Sequence, residues 1–210
     1  MTEPLGILDR LQDALEELHG VAPGARVTDF LVPGAPVDGR AGALLIREYE
    51  EGVEVGVRLR PGILEALAEA CPFAALDERN LPPFAVALEE VSHFVYFLWL
   101  ARQDRPVSIL ELELQGEVDK YACARMLWAR QGRRAHGRLL GLLFEDFTWE
   151  AGLTPDDARR YETANALARE YCAGLDRRHP GERPRPAFVR EIRSFYRTGG
   201  REKLRRAQNA

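Results

Sequence analysis

The chain is poor in residues that cross-link a protein or announce its chemistry. Its 210 residues include three cysteines, four histidines, two methionines and only two lysines, Lys120 and Lys203, among 29 basic residues. Cys71, Cys123 and Cys172 are odd in number, far apart and free of any CxxC pair. That excludes a disulfide framework and a zinc ribbon, and makes a reducing cytoplasm the expected compartment. The Arg-rich, Lys-poor balance, with abundant Ala, Gly and Leu, points to a GC-rich bacterial genome. No GxSxG, HExxH, P-loop or GxGxxG after a strand occurs, which removes the common serine-hydrolase, zinc-peptidase and nucleotide-fold signatures. Ser92 beside His93 does not replace them, because adjacent residues of a helix do not face each other.

Membrane and export signals are missing too. The first twenty residues lack the basic start and unbroken apolar run of a secretion signal. The only run of membrane length, 83–101, places Glu89, Glu90 and His93 near its middle, where a bilayer would penalise them heavily. No membrane contact is expected.

With 46% hydrophobic residues, the chain can bury a sizeable core as one large domain or two small ones. Leu8, Leu11, Leu15 and Leu18 share one face of a helix over 4–19, which Gly20 can end. VTDFLV, 27–32, reads as a strand, and ALLIREYEEGVEVGVRLR, 43–60, alternates on either side of Glu51 and Gly52 as a β-hairpin does. Pro61 suits the first turn of a short helix closed by Pro72. Further helices are expected over 83–101, 106–130, 136–150, 155–175 and 186–197, with a last short one near 201–206. Thr154 to Asp157 resembles a capping box. The predicted class is α+β, an N-terminal helix and small antiparallel β-sheet followed by a predominantly α-helical bundle. The segments divide as 1–72, the α/β region with its hairpin; 73–176, the bundle; and 177–210, a basic linker, RRHPGERPRP, with the C-terminal helices.

The most informative stretch is LEEVSHFVYFLWLA, 88–101. On a helix, Glu89, Glu90, Ser92 and His93 share a sector that is apolar before them, at Ala85 and Val86, and after them, at Tyr96, Phe97 and Leu100. A solvated face stays polar for several turns, so this notch is expected to meet partners in a partly dry place. The next helix supplies them. Glu113, Glu117, Lys120 and Ala124 form a stripe between two apolar arcs, with Glu111, Gln115 and Asp119 opposite, on the side expected to be wet. The short QDRP loop makes the two helices antiparallel neighbours. Glu90 and His93 then face Glu113 and Glu117, with Lys120 a turn further on and Gly116 permitting close approach. His136, on an apolar face with Leu140, Leu143 and Phe147, lies near this core, as do Tyr161 and Asn165. His19 and His179 are explained by helix ends or solvent.

Three functions fit the pattern. The first is a structural or protein-interaction module, in which Glu117 pairs with Lys120 and His93 bonds a carboxylate to fix helix packing. The second is a divalent-metal hydrolase of phosphate esters or nucleotides, or another carboxylate-metal enzyme. Glu90, His93, Glu113 and Glu117 would be ligands for Mg²⁺, Mn²⁺ or Fe, with His93 a ligand or general base and Lys120 an anion contact. Glu90 and His93 have the E-x-x-H spacing of carboxylate-bridged di-iron bundles, although it occurs here once. The paired acidic helices are also loosely similar to the helical nucleotide pyrophosphatases. That resemblance implies Mg²⁺ held against a triphosphate, but the family's E-x-x-E followed by E-x-x-D is absent, since Gly116 stands three residues before Asp119.

The third function is nucleic-acid contact. Residues 173–210 carry a net +7 and the rest of the chain −11, which together give the −4 of the whole. Arg190, Arg193, Arg197, Arg201, Lys203, Arg205 and Arg206 surround or follow the apolar Phe188, Ile192 and Phe195 and are the candidate phosphate contacts. Docking of this amphipathic helix on its own bundle is the favoured alternative, with a protein partner or a second copy also open.

Overall fold

The computed structural model describes residues 4–36, 40–50, 52–133, 137–145, 153–181 and 186–210. Helix α1, Pro4–His19, buries Leu8, Leu11, Leu15 and Leu18, the face the spacing predicts. Strands β1, Gly42–Tyr49, and β2, Gly52–Leu59, pair antiparallel with Tyr49 opposite Gly52. Among the described residues seven helices follow: α2, Ile63–Glu69; α3, Leu81–Ala101; α4, Ile109–Arg130; α5, Arg138–Phe144; α6, Pro155–Arg178; α7, Pro186–Arg197; and α8, Gly200–Gln208. The fold is α+β, with the sheet confined to the N-terminal part.

Several local expectations change for physical reasons. VTDFLV is not a strand, because α1 holds it as a 3-10 turn over Val27–Phe30. Val27 N donates to Gln12 Oε1 at 2.8 Å and Thr28 Oγ1 to Asp9 at 3.0 Å. Leu31 and Val32 pair with β2, through an isolated bridge and a 2.8 Å bond from Val32 N to the Val57 carbonyl. Helix α2 starts at Ile63 instead of Pro61, with the Glu65 carboxylate accepting from Gly62 N at 2.8 Å. Helix α4 starts beyond Pro106, where the Ser108 hydroxyl caps it by accepting from Glu111 N at 3.2 Å. Helix α6 runs through 177 and 178, and Arg125 of α4 donates to the His179 and Gly181 carbonyls at 2.6 and 3.2 Å. That part of the expected linker is therefore pinned to the bundle. Residues 182–185, like Glu51, His136, Phe147 and the two ends of the helix expected over 136–150, lie outside the described residues.

The larger of two apolar clusters among the described residues includes Leu11 of α1, Val57 of β2, Phe94 of α3, Tyr121 of α4, Leu175 of α6 and Phe188 of α7. Helix α3 is long and apolar enough to cross a membrane by length and composition, but most of it is buried against the rest of the protein.

Helix α4 organises the molecule. Residues 111–125 are buried without a break, although they include Glu111, Glu113, Gln115, Glu117, Asp119, Lys120 and Arg125. Helices α1, α3, α5, α6 and α8 all contact α4, so it has no wet side and each polar group needs an internal partner. This is why Glu111, Gln115 and Asp119, expected in water, are buried. They belong to a network separate from that of Glu113, Glu117 and Lys120.

Candidate metal centre and its cavity

Helices α3 and α4 run antiparallel, since Lys120 reaches back to Glu89 while Glu113 meets His93 one helical turn later. Lys120 Nζ donates to Glu89 at 2.7 Å and to Glu117 at 2.9 Å. The His93 ring lies between two carboxylates, with Nδ1 3.7 Å from Glu90 Oε2 and Nε2 3.6 Å from Glu113 Oε2. These are ion-pair distances, too long for hydrogen bonds. The geometry draws together one ligand atom each from Glu89, His93 and Glu113, all within 4.8 Å of one another. Glu90 and Glu117 flank that trio.

Two glycines make the approach possible. A Cβ on Gly116 would lie 2.9 Å from His93 Nε2, and one on Gly42 would lie 2.5 Å from Glu90 Cγ. Neither position tolerates a side chain without displacing a member of the site.

The electrostatics are unbalanced. Four carboxylates, Glu89, Glu90, Glu113 and Glu117, face two cations, Lys120 and protonated His93. Burial pushes the Glu113 carboxyl up to about 7, and raises Glu90 and Glu117 as well. Burial would also raise Glu89, but the Lys120 ammonium beside it holds it below the usual range. His93 would be lowered by burial alone, yet Glu90 and Glu113 bring it up to about 9. Lys120 is similarly held above its ordinary value by Glu117 and Glu89, against the cost of desolvation. Even so, Glu90 Oε2, His93 Nε2, Glu113 Oε2 and Glu117 Oε2 are buried with no hydrogen-bond partner.

A cavity of about 500 Å³ opens onto this cluster. Glu89, Glu90, Glu117 and Lys120 form its polar end. Its walls include Leu81 and Val86 of α3, Leu142 and Leu143 of α5, and Tyr161 and Asn165 of α6. His93 and Glu113 stand outside the lining, next to the glutamates that form it. Arg40, paired with Asp157 at 3.5 Å, and the exposed Glu78 also line the space.

The sequence singles out Glu90, His93, Glu113, Glu117 and Lys120, and the structure brings all five into one cluster. Glu89 is the ligand candidate it missed. The signal was its i, i+4 spacing to His93, which aligns two side chains on a helix as well as the i, i+3 spacing of Glu90 does. The contributions of α5 and Arg40 had no comparable signal.

The opposite side of α4 carries a second buried network. Asp119 Oδ1 accepts from His19 Nε2 and Gln115 Nε2, both at 2.8 Å, and its Oδ2 accepts from Ser92 at 2.6 Å. Lys203 Nζ donates to Gln115 Oε1 and to the Tyr96 hydroxyl, both at 2.6 Å, and Tyr96 donates to Glu111 at 2.7 Å. His19 is thus a buried partner of Asp119, stacked on Tyr196 with ring centroids 3.8 Å apart, and neither a helix-end dipole nor solvent explains it. His179 lies 2.7 Å from Glu191.

This network also corrects the list of phosphate contacts. Lys203 is fully buried and cannot reach a phosphate. Arg193 donates to the carbonyls of Leu18 and Glu17 at 2.8 Å, and Arg197 to that of His19 at 3.0 Å, so both close the C-terminal end of α1. Arg206 donates to Thr198 at 2.7 Å, while Arg190, Arg201 and Arg205 are exposed. Phe188, Ile192 and Phe195 are buried in the protein's own core.

No family model matches the chain, and no curated protein or solved structure shows significant similarity to it.

Proposed function

We propose that this protein is a divalent-metal-dependent phosphohydrolase acting on a small phosphate ester, with Glu89, His93 and Glu113 as the metal ligands. One observation carries the reading: Glu89, His93 and Glu113 each bring a ligand atom within 4.8 Å of one another, among buried atoms of Glu90, His93, Glu113 and Glu117 that lack hydrogen-bond partners and beside a cavity that a small molecule can fill. Uncompensated buried charge is costly, which is why burial raises Glu90, Glu113 and Glu117, and a divalent cation would offset the negative charge these carboxylates carry once ionised. Carboxylates with a single imidazole suit Mn²⁺ or Mg²⁺. Glu90 beside His93 Nδ1 is placed to orient the ring and leave Nε2 for the metal.

The cation would polarise a phosphoryl oxygen and lower the pKa of water. Glu117 lines the cavity and burial raises its carboxyl, so it would be the base that takes the proton of the attacking water. As the new P–O bond forms, the ester P–O bond breaks and that proton passes to the leaving oxygen, giving an alcohol and inorganic phosphate. Lys120, bridging Glu89 and Glu117, holds the carboxylates apart and sets positive charge beside the transferred group.

The test is metal binding by chelator-stripped protein, followed by calorimetry and elemental mass spectrometry, with hydrolysis of p-nitrophenyl phosphate alongside. One Mn²⁺ or Mg²⁺ per chain, lost in folded Glu89→Gln and Glu113→Gln variants together with hydrolysis, is the expected result. Folded wild-type protein that takes up no metal at millimolar concentration sinks the reading. The cluster would then be a packing network in a protein that works by interaction.

A further inference from the structure

Resting on that metal-dependent reading, we infer that the substrate is a phosphate ester with a compact apolar body about the size of an aromatic ring, as opposed to a sugar phosphate or phosphate alone. The cavity joins a charged cluster to a large hydrocarbon surface. Glu89, Glu90, Glu117 and Lys120 form one end, while Leu81, Ala85, Val86, Leu142, Leu143 and Leu153 offer hydrocarbon. None of those six side chains can hydrogen-bond, so a sugar held against them would lose water from its hydroxyls without replacement. An apolar ring gains from the same surface.

Size agrees with this division. A cavity of roughly 150 Å³ already holds benzene, and about 500 Å³ leaves room for a ring and a phosphate reaching the acidic end. Without a metal, that end would attract an amine instead of an anion, because its glutamates outnumber its cations. The head group is therefore what the metal decides, and the body is what the walls decide. Tyr161 and Asn165 of α6, with Arg40 and Glu78, add polar groups to the lining beside that hydrocarbon.

The experiment is calorimetric titration of Mn²⁺-loaded wild-type protein with phenyl phosphate, glycerol 3-phosphate, inorganic phosphate and benzylamine. Phenyl phosphate is expected to bind about 30-fold more tightly than glycerol 3-phosphate or inorganic phosphate, the scale of burying one ring. Ala85→Phe, which fills the chamber, and Leu142→Gln, which makes its wall polar, should each remove most of that preference while leaving Mn²⁺ uptake unchanged. Two independent variants guard against one that fails to fold. Mn²⁺ uptake with equal affinity for phenyl phosphate and glycerol 3-phosphate overturns this inference and leaves the metal reading standing. Benzylamine binding more tightly than any phosphate overturns it as well. Failure of wild-type protein to bind Mn²⁺ removes both.

Discussion

His93 decides how the proposed centre responds to pH. It sits at about 9 because Glu90 and Glu113 outweigh the cost of its burial, so in metal-free protein at neutral pH it carries a proton. A metal ligand must give that proton up. Between pH 7 and 9 each bound cation therefore displaces at least one proton, and affinity is expected to rise about tenfold per pH unit before flattening above 9. Below 7 the Glu113 carboxyl, at about 7, adds a second proton and a steeper fall. Mn²⁺ titrations across pH 6 to 10 check this; an affinity independent of pH would exclude His93 as a ligand. Gly116→Ala tests the same ring from the other side. Its Cβ would crowd His93 Nε2 at 2.9 Å, so metal affinity should drop at least tenfold in a protein that remains folded, measured by the same titration. The sequence made this level partly legible. Apolar residues on both sides of the notch announced that Glu90 and His93 are shielded, but helical phase alone cannot say which carboxylates of two helices converge, and Glu89 was passed over for that reason.

At the scale of elements, Pro155 with Thr154 and the leucine spacing of α1 place helices well, because caps and periodicity are local properties. The wetness of a helix face is not local. Glu111, Gln115 and Asp119 share a face whose polarity says solvent, yet α1 and α8 cover it, and only the number of neighbours decides the matter. The energetic consequence falls on Asp119, which accepts three hydrogen bonds from three elements: His19 of α1, Ser92 of α3 and Gln115 of α4 itself. Asp119→Ala would leave those donors buried and unsatisfied, a loss of about 3–5 kcal/mol by comparison with other broken buried networks. Urea unfolding measures it. Because this network is separate from Glu113 and Glu117, metal affinity of the folded variant should be unchanged, which distinguishes a packing role from a catalytic one.

At the scale of the whole molecule, α+β organisation was legible from the alternation of the hairpin and the long helical periods that follow. The cavity was not, because its walls come from α3, α5 and α6, which are distant in sequence and meet only after folding. Nor was the destination of Lys203, which a basic tail disguised as a surface group. Burial brings its ammonium down to about 7 from an ordinary 10.5, although Glu111 and Asp119 lie near enough to oppose the shift. The folded and unfolded chains both hold this proton below pH 7. Above 7 the folded chain releases it while the unfolded chain keeps it, so the unfolded chain binds more protons and stability rises with pH, by up to about 1.4 kcal/mol per unit. His93 acts in the opposite direction: its folded value lies above the ordinary 6.5, so its contribution is present below that pH and is lost as pH climbs through 9. A Lys203→Met variant retains the His93 contribution and lacks the other. Subtracting its stability from that of the wild type cancels His93 and should leave a difference that climbs in favour of the wild type from pH 7 to 9. Urea melts of the two metal-free proteins at pH 6, 7, 8 and 9 measure it, and a difference that stays flat would mean that Lys203 keeps its proton inside the folded protein.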